Sequence, residues 1–128
     1  MKPSTCEWVR AAEEDFDVAN SLLRRKPSAA NVIGFHCHQT AERYLKAQLE
    51  ELSLSAAKAR SLTALLKPLL PHHPTWATLK AELRLLNNCG LESCYPGHTA
   101  TRVDVQSALA ASRSIRTEIR SSLGLPKK

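Results

Sequence analysis

Apolar residues recur at steps of three and four along most of the chain, which is the period of an amphipathic helix. The alternating pattern of a strand is found almost nowhere. The first stripe follows Ser4 and Glu7, which have the spacing of a capping box, and we expect that helix to end near Arg25. Its apolar positions are Trp8, Ala12, Phe16, Ala19 and Leu23. The pattern predicts an all-α fold.

Prolines separate the first helix from the next two. Pro27 interrupts the first helix because it removes a backbone donor, and the second helix is predicted from about Ala29 to about Leu52. A shorter third helix must end by Pro68. Its apolar positions are Leu62, Leu65 and Leu66.

A fourth and a fifth helix complete the pattern. Pro74 can occupy the first position of the fourth helix, which ends around residues 88–90. Thr101 and Asp104 offer a cap for the fifth. The apolar positions are Trp76, Leu79, Leu83 and Leu86 in the fourth helix, and Val105, Ala108, Ser112, Ile115, Ile119 and Leu123 in the fifth.

The five segments predict an up-and-down helical bundle of four long helices plus one short helix. With 128 residues, of which 43% are hydrophobic, the chain can bury one core, and no repeat or linker divides it. We therefore expect a single domain over residues 1–128. The first and fourth helices together carry more apolar side chains than one bundle of this size can cover. We call this excess the apolar surplus, and it predicts a twofold dimer that buries it. The residues concerned are Trp8, Phe16, Trp76, Leu79, Leu83, Leu85 and Leu86.

Composition limits the cellular location, the state of the cysteines and the kind of partner that we expect. No apolar run is long enough for a membrane span or a secretory signal, so we expect a cytoplasmic protein without a membrane partner. The cysteines are then expected as reduced thiols. They are Cys6, Cys37, Cys89 and Cys94. The formal net charge of +6 favours anionic partners.

Two histidines flank a cysteine in the second helix, a pattern that could suggest a metal site. On a regular helix His36 and His38 diverge by roughly 200 degrees, so they cannot hold one metal together. We expect His38 among apolar neighbours and His36 exposed. A second group of cysteines and histidines is a weaker candidate for zinc, because it lacks two cysteines at a short spacing. The sequence therefore predicts no metal and no other cofactor. That set is Cys89, Cys94 and His98, with His72 or His73.

Four arginines of the fifth helix fall within about 60 degrees of one another on the helical wheel. They are Arg102, Arg113, Arg116 and Arg120. A guanidinium fork holds phosphate oxygens in pairs, so this stripe is a candidate phosphate-binding surface. The alternative interpretation is a solvated basic edge, because basic helix faces are common.

The stretch "FHCHQTAERYLKAQL", residues 35–49, is similar to the second-helix signature of the HEPN family. The matching residues are Phe35, Gln39, Ala41, Glu42 and Lys46. The acidic, alanine-rich first helix also resembles the start of that family. The "CYPG" stretch, residues 94–97, stands where many members have an arginine before tyrosine, proline and glycine. The resemblance extends from Trp8 to about Leu123.

This resemblance implies a helical bundle that is often a homodimer and is frequently encoded beside a minimal nucleotidyltransferase. Members have been linked to nucleotide binding, and others are metal-independent ribonuclease toxins. The expected groove at the mouth of the bundle contains Gln39, Glu42, Lys46 and Tyr95. Glu42 and Lys46 are also spaced for an ion pair along the helix surface.

Many ribonuclease members carry an arginine followed by four to six residues and a histidine, which hold the scissile phosphate and move the proton. No arginine here has a histidine at that spacing, and Cys94 replaces the arginine before Tyr95. The sequence therefore predicts a non-cleaving module that binds nucleotide or polynucleotide phosphate, or a partner nucleotidyltransferase. The alternative is a ribonuclease toxin that uses His98 or His72, with an arginine brought near by folding or by a second subunit.

Overall fold

The computed structural model describes residues 1–56, 59–89 and 101–128, and all regular structure in these ranges is helical. The α-helices are α1 (Pro3–Arg25), α2 (Ala30–Glu51), α3 (Leu62–Leu66), α4 (Lys80–Asn87) and α5 (Arg102–Ser122). Two 3₁₀ helices, Lys67–Leu69 and Pro74–Leu79, precede α4. In these ranges no helix combines the length and the apolar character that crossing a bilayer requires.

The all-α fold with five helices is confirmed, but the fourth helix is short. Its first half, from Pro74, is a 3₁₀ helix, and only eight residues of α4 follow. The hydroxyl of Thr78 donates to the carbonyl of Thr75 at 3.0 Å, a local bond that competes with α-helical geometry. The described chain therefore has three long helices and two short ones.

The two predicted helix caps have opposite outcomes. Thr101 and Asp104 form the reciprocal capping box of α5, so that prediction is confirmed. The capping box at Ser4 is wrong, because α1 already begins at Pro3. The Ser4 hydroxyl instead donates to Glu50 Oε1 at 2.7 Å, which ties the start of α1 to the end of α2.

Helix α2 lies at the centre and packs against all four other α-helices. Tyr44 of α2 bonds Glu13 of α1, and Ser4 bonds Glu50, so α1 and α2 are antiparallel. Helix α5 runs parallel to α2, since Cys37 lies beside Ser112 and, further along both helices, Arg120 donates to Tyr44 Oη. The largest fully buried side chains are Tyr44, Ile33, Leu45, Leu49, Leu62, Leu66, Leu69, Leu83, Leu86, Ile115, Ile119 and Val105.

The apolar surplus that predicted a dimer is largely absorbed by this one chain. Five of its seven members are buried, and only Trp8 and Leu85 keep substantial exposure. The buried members are Phe16, Trp76, Leu79, Leu83 and Leu86. Leu83 and Leu86 are buried where α4 packs against α2 and α5, so most of the apolar surface from which the dimer was predicted is covered within the described chain.

Candidate functional site

Four of the five residues of the α2 signature, Phe35, Gln39, Glu42 and Lys46, line one open groove of about 930 Å³, whereas Ala41 is buried in the core. Steps of three and four place them on one face of the helix, beside Trp8 of α1 and the segment between α2 and α3. The lining of this signature groove includes an apolar side formed by leucines and alanines, and the following aromatic and polar residues: Trp8, Phe35, His38, Gln39, Glu42, Lys46, Glu50 and Arg60. Tyr95, the fourth predicted groove residue, lies outside the described residues, as does the rest of the turn at residues 95–98.

The charges of the signature groove are loosely paired. Lys46 Nζ lies 3.5 Å from Glu42 Oε2 and 5.3 Å from the centre of the Trp8 ring, so the predicted ion pair is present and a cation–π contact accompanies it. The side chains of Lys46 and Glu42 are 32% and 28% exposed. A ligand can therefore replace either partner without entering the core.

His38 forms part of the groove wall. It is half-buried, and its Nδ1 lies 3.4 Å from Gln39 Oε1. Burial lowers the pKa of His38 despite the nearby carboxylate of Glu42, so the imidazole is neutral at neutral pH. Its neighbour Cys37 is fully buried, and burial raises the pKa of that thiol to about 12. Neither side chain provides a charge or a thiolate to the groove.

His36 is not simply exposed, as the sequence suggested, because its Nδ1 lies 2.7 Å from Asp15 Oδ1 of α1. Arg43 donates to the other oxygen of the same carboxylate at 2.6 Å. His36 and His38 thus face different partners. In the described ranges, no group of three or more potential ligands is placed to hold a metal ion.

The sequence did contain a signal for this Asp15 cluster. Asp15 lies three residues after Ala12 and four before Ala19, so it falls on the apolar face of α1 and is buried there. A buried carboxylate needs a cationic or donor partner. That requirement predicts a pairing for Asp15 but does not identify His36 and Arg43.

The structure divides the arginine stripe of α5 into two kinds of residue. Arg116 donates two hydrogen bonds to the carboxylate of Glu13, at 2.7 and 2.9 Å, and Arg120 donates to Tyr44 Oη at 3.2 Å. Tyr44 in turn donates to Glu13. We call these four residues the Glu13 cluster. Two arginines of the stripe are therefore buried between helices.

Arg102 and Arg113 remain exposed at the surface of α5. They lie eleven residues, or about 16 Å, apart along the helix axis, so one small phosphate group cannot contact both. Arg113 Nη2 makes a long bond of 3.4 Å to Asn20 Oδ1. The four predicted phosphate ligands consequently do not form one continuous free surface.

Of the two candidate catalytic histidines, the described structure includes His72 alone. His72 is exposed in the turn after the first 3₁₀ helix, and none of its contacts in the described ranges is with an arginine. His98 lies outside the described residues, together with Cys94. The arrangement that does combine an imidazole, a carboxylate and a guanidinium is the Asp15 cluster.

Comparison with known proteins gives a family and a fold. The family model described as the HEPN domain matches residues 5–122. The chain is also similar to the crystal structure of a HEPN domain protein from Thermotoga maritima, with a TM-score of 0.76 at 18% identity, over 92% of this chain and 98% of that one. At this identity the likeness concerns the fold. No curated protein matches the chain significantly.

Proposed function

The chain belongs to the HEPN domain family, and from this premise we propose that it is a non-catalytic binding module whose signature groove takes a nucleotide. The observation that carries the proposal is the convergence of Gln39, Glu42 and Lys46 with Trp8 on one open groove. Its volume of about 930 Å³ is in the range of small-molecule sites.

The lining suits the parts of a nucleotide. Trp8 and Phe35 offer ring surfaces on which a base can stack. Lys46 and Arg60 provide cations for phosphate oxygens, and Arg60 is exposed at the rim. The amide of Gln39 can both donate to and accept from the polar edge of a base. Binding without cleavage agrees with the missing arginine–histidine spacing.

Fluorescence of Trp8 provides a direct test. Trp76 is buried and stacked on His73, so a Trp76→Phe background leaves Trp8 as the reporter. We expect AMP and ATP to change its emission. Lys46→Met should then weaken ATP binding roughly tenfold, the loss expected for one charge-assisted contact. The matched control is Lys80→Met, since Lys80 is exposed and outside the groove.

Three results would contradict the nucleotide proposal. The first is an emission of Trp8 that neither nucleotide changes. The second is an equal loss of ATP affinity in the Lys46→Met and Lys80→Met variants, which would mean that only total charge matters. The third is cleavage of RNA by the unaltered protein above a matched blank.

A second candidate function, the ribonuclease, is favoured by the Asp15 cluster. Asp15 fixes the orientation of the His36 ring and also holds Arg43, and both partners keep exposed fractions of 24% and 32%. An oriented imidazole beside a guanidinium can move a proton and stabilise a phosphate. If RNA is cleaved, and if His36→Ala abolishes this while His72→Ala does not, the function is the ribonuclease.

The oligomeric state, the partner and the cellular location are proposals that rest on family membership. We propose a homodimer, a minimal nucleotidyltransferase as partner and a cytoplasmic location, as parts of a toxin–antitoxin pair. In the described ranges the exposed large apolar side chains lie at the N-terminus and on four different helices. They are Met1, Val18, Val32, Leu85 and Val103. A monomer in light scattering at micromolar concentration would contradict the homodimer.

A further inference from the structure

A second cavity, of about 650 Å³, lies between the C-terminal half of α1, the middle of α5 and the segment that follows α5. Among its described lining residues, five are basic and one is acidic. We call it the basic recess, and its charged residues are Arg24, Arg113, Arg116, Lys127, Lys128 and Asp17. No residue of the described ranges lines both the basic recess and the signature groove.

Within residues 1–56, 59–89 and 101–128, Arg24, Arg113 and the two lysines form no ion pair with a side-chain carboxylate. Arg116 is paired with Glu13. In the described part of the chain, Arg113 makes a long bond to Asn20 and lies over the Phe16 ring, 5.8 Å from its centre. Arg24 and Arg113 are both exposed. The recess thus combines exposed guanidinium groups with hydroxyl and amide groups that can also donate to an anion. The latter come from Ser21, Thr117 and Asn20.

The two lysines are held at the recess by the buried arginines of α5. Arg116 Nη1 donates to the carbonyl of Lys127 at 2.6 Å, and Arg120 Nε donates to the carbonyl of Pro126. The backbone N–H of Leu125 bonds the carbonyl of Arg120 at 2.8 Å. Gly124 has a φ of 75°, a value that glycine adopts without strain and that turns the chain back along α5.

We infer that the basic recess is a phosphate-binding site, in which Arg24 and Arg113 face the lysines of the folded-back segment. Arg116 and Arg120 are positioning residues, because they fix the backbone that carries Lys127 and Lys128. Phosphate is the anion that fits, since guanidinium forks hold its oxygens in pairs. This inference does not depend on nucleotide binding in the signature groove.

Binding of pyrophosphate and of a single-stranded RNA oligonucleotide tests the inference. The altered protein carries Arg24→Gln and Arg113→Gln. The control carries Arg10→Gln and Arg84→Gln, which removes the same charge from exposed arginines outside the recess. We expect at least a tenfold loss of affinity in the first variant and less than a threefold loss in the control.

Salt dependence distinguishes the two sources of phosphate. If a polynucleotide backbone occupies the recess, removing two contacts should lower the slope of log affinity against log salt by about 1.4 for a single strand, at about 0.7 for each phosphate contact. If the ligand is a small phosphate compound, pyrophosphate should bind measurably and compete with RNA. A lower salt slope for RNA and competition by pyrophosphate each support a phosphate site, provided that affinity falls in the recess variant and not in the control.

A second variant tests the contribution of the folded-back segment. Lys127→Gln with Lys128→Gln leaves all helices and the Glu13 cluster unchanged, so folding should be unaffected. It should also weaken binding, by roughly tenfold. Equal losses in the recess variant and the control, an unchanged affinity in the lysine variant, or no binding of either probe by the unaltered protein would each overturn the inference.

Discussion

The Glu13 cluster and the signature groove are both built on α1 and α2, and each pairs a glutamate with cations. The carboxylates of Glu13 and Glu42 have the same exposed fraction, 28%. Their partners differ, because the side chain of Arg116 is 8% exposed whereas that of Lys46 is 32% exposed. The distances differ as well. Arg116 donates two parallel hydrogen bonds to Glu13, at 2.7 and 2.9 Å, whereas Lys46 Nζ lies 3.5 Å from Glu42 Oε2.

This comparison shows that the cation, more than the acid, decides whether a pair is structural or available. A buried guanidinium that loses its carboxylate cannot be rehydrated without disturbing the core. An ammonium at the surface only exchanges its partner for water or for a ligand. The Glu13 cluster therefore joins three helices, and the groove pair remains open to a phosphate.

The largest expected effect is that of Glu13→Gln on stability. It leaves Arg116 and Arg120 buried without a carboxylate, and we expect a loss of roughly 2–3 kcal/mol, less than for a fully buried pair because Glu13 is partly exposed. Urea unfolding at pH 7 measures it. Glu14→Gln, at the exposed neighbouring residue, is the control. Equal unfolding midpoints for the two variants would contradict the structural role of the cluster.

Protonation of Glu13 at low pH should remove part of the stability that its carboxylate contributes. Burial tends to raise the pKa of Glu13, but the bonds from Arg116 and Tyr44 and the nearby guanidinium charges outweigh it, so this pKa is lowered. The unfolded chain then binds a proton first as the pH falls. The contribution is complete above about pH 4.3 and is lost as the pH falls through the lower folded pKa.

Urea unfolding between pH 6 and pH 3 measures this loss. The stability difference between the unaltered protein and Glu13→Gln should narrow as the solution becomes more acidic. A constant difference over the whole range would show that the carboxylate of Glu13 is not the titrating group.

An intermediate effect is expected for Asp15→Asn. The carboxylate is buried, with 9% of its side chain exposed, but His36 and Arg43 can turn toward water when it is neutralised. We expect a loss of about 1–2 kcal/mol in urea unfolding at pH 7. Asp17→Asn, at an exposed position of the same helix, should change stability much less. A loss larger than that of Glu13→Gln would reverse the order of the two clusters.

The smallest effect on stability is expected for Glu42→Gln. A partly exposed pair at this spacing contributes within about 0.5 kcal/mol. Affinity for ATP, followed by Trp8 emission, should rise because Lys46 loses its competing carboxylate. Glu118→Gln, an exposed residue of α5 outside the groove, is the control. A stability loss above 1 kcal/mol would mean that the groove pair is structural after all.

The sequence by itself determined the three long helices and the family. The spacing of apolar residues locates α1, α2 and α5, and the Thr101 cap fixes the start of α5, because helix periods and caps depend on residues at most four positions apart. The signature of α2 predicted a shared groove for the same reason. Gln39, Glu42 and Lys46 lie on one helix face whatever packs against it.

Only the tertiary structure decided which charged residues are available. The pairing of Glu13 with Arg116 spans 103 residues, and that of Asp15 with His36 spans 21. A helical wheel places Arg113 and Arg116 on nearly the same face, yet one is exposed and the other is buried beneath the segment that follows α5. Periodicity shows which side of a helix a residue is on. Periodicity does not show which residue of another helix contacts that side. This contact decides whether a charged side chain is structural or free to bind.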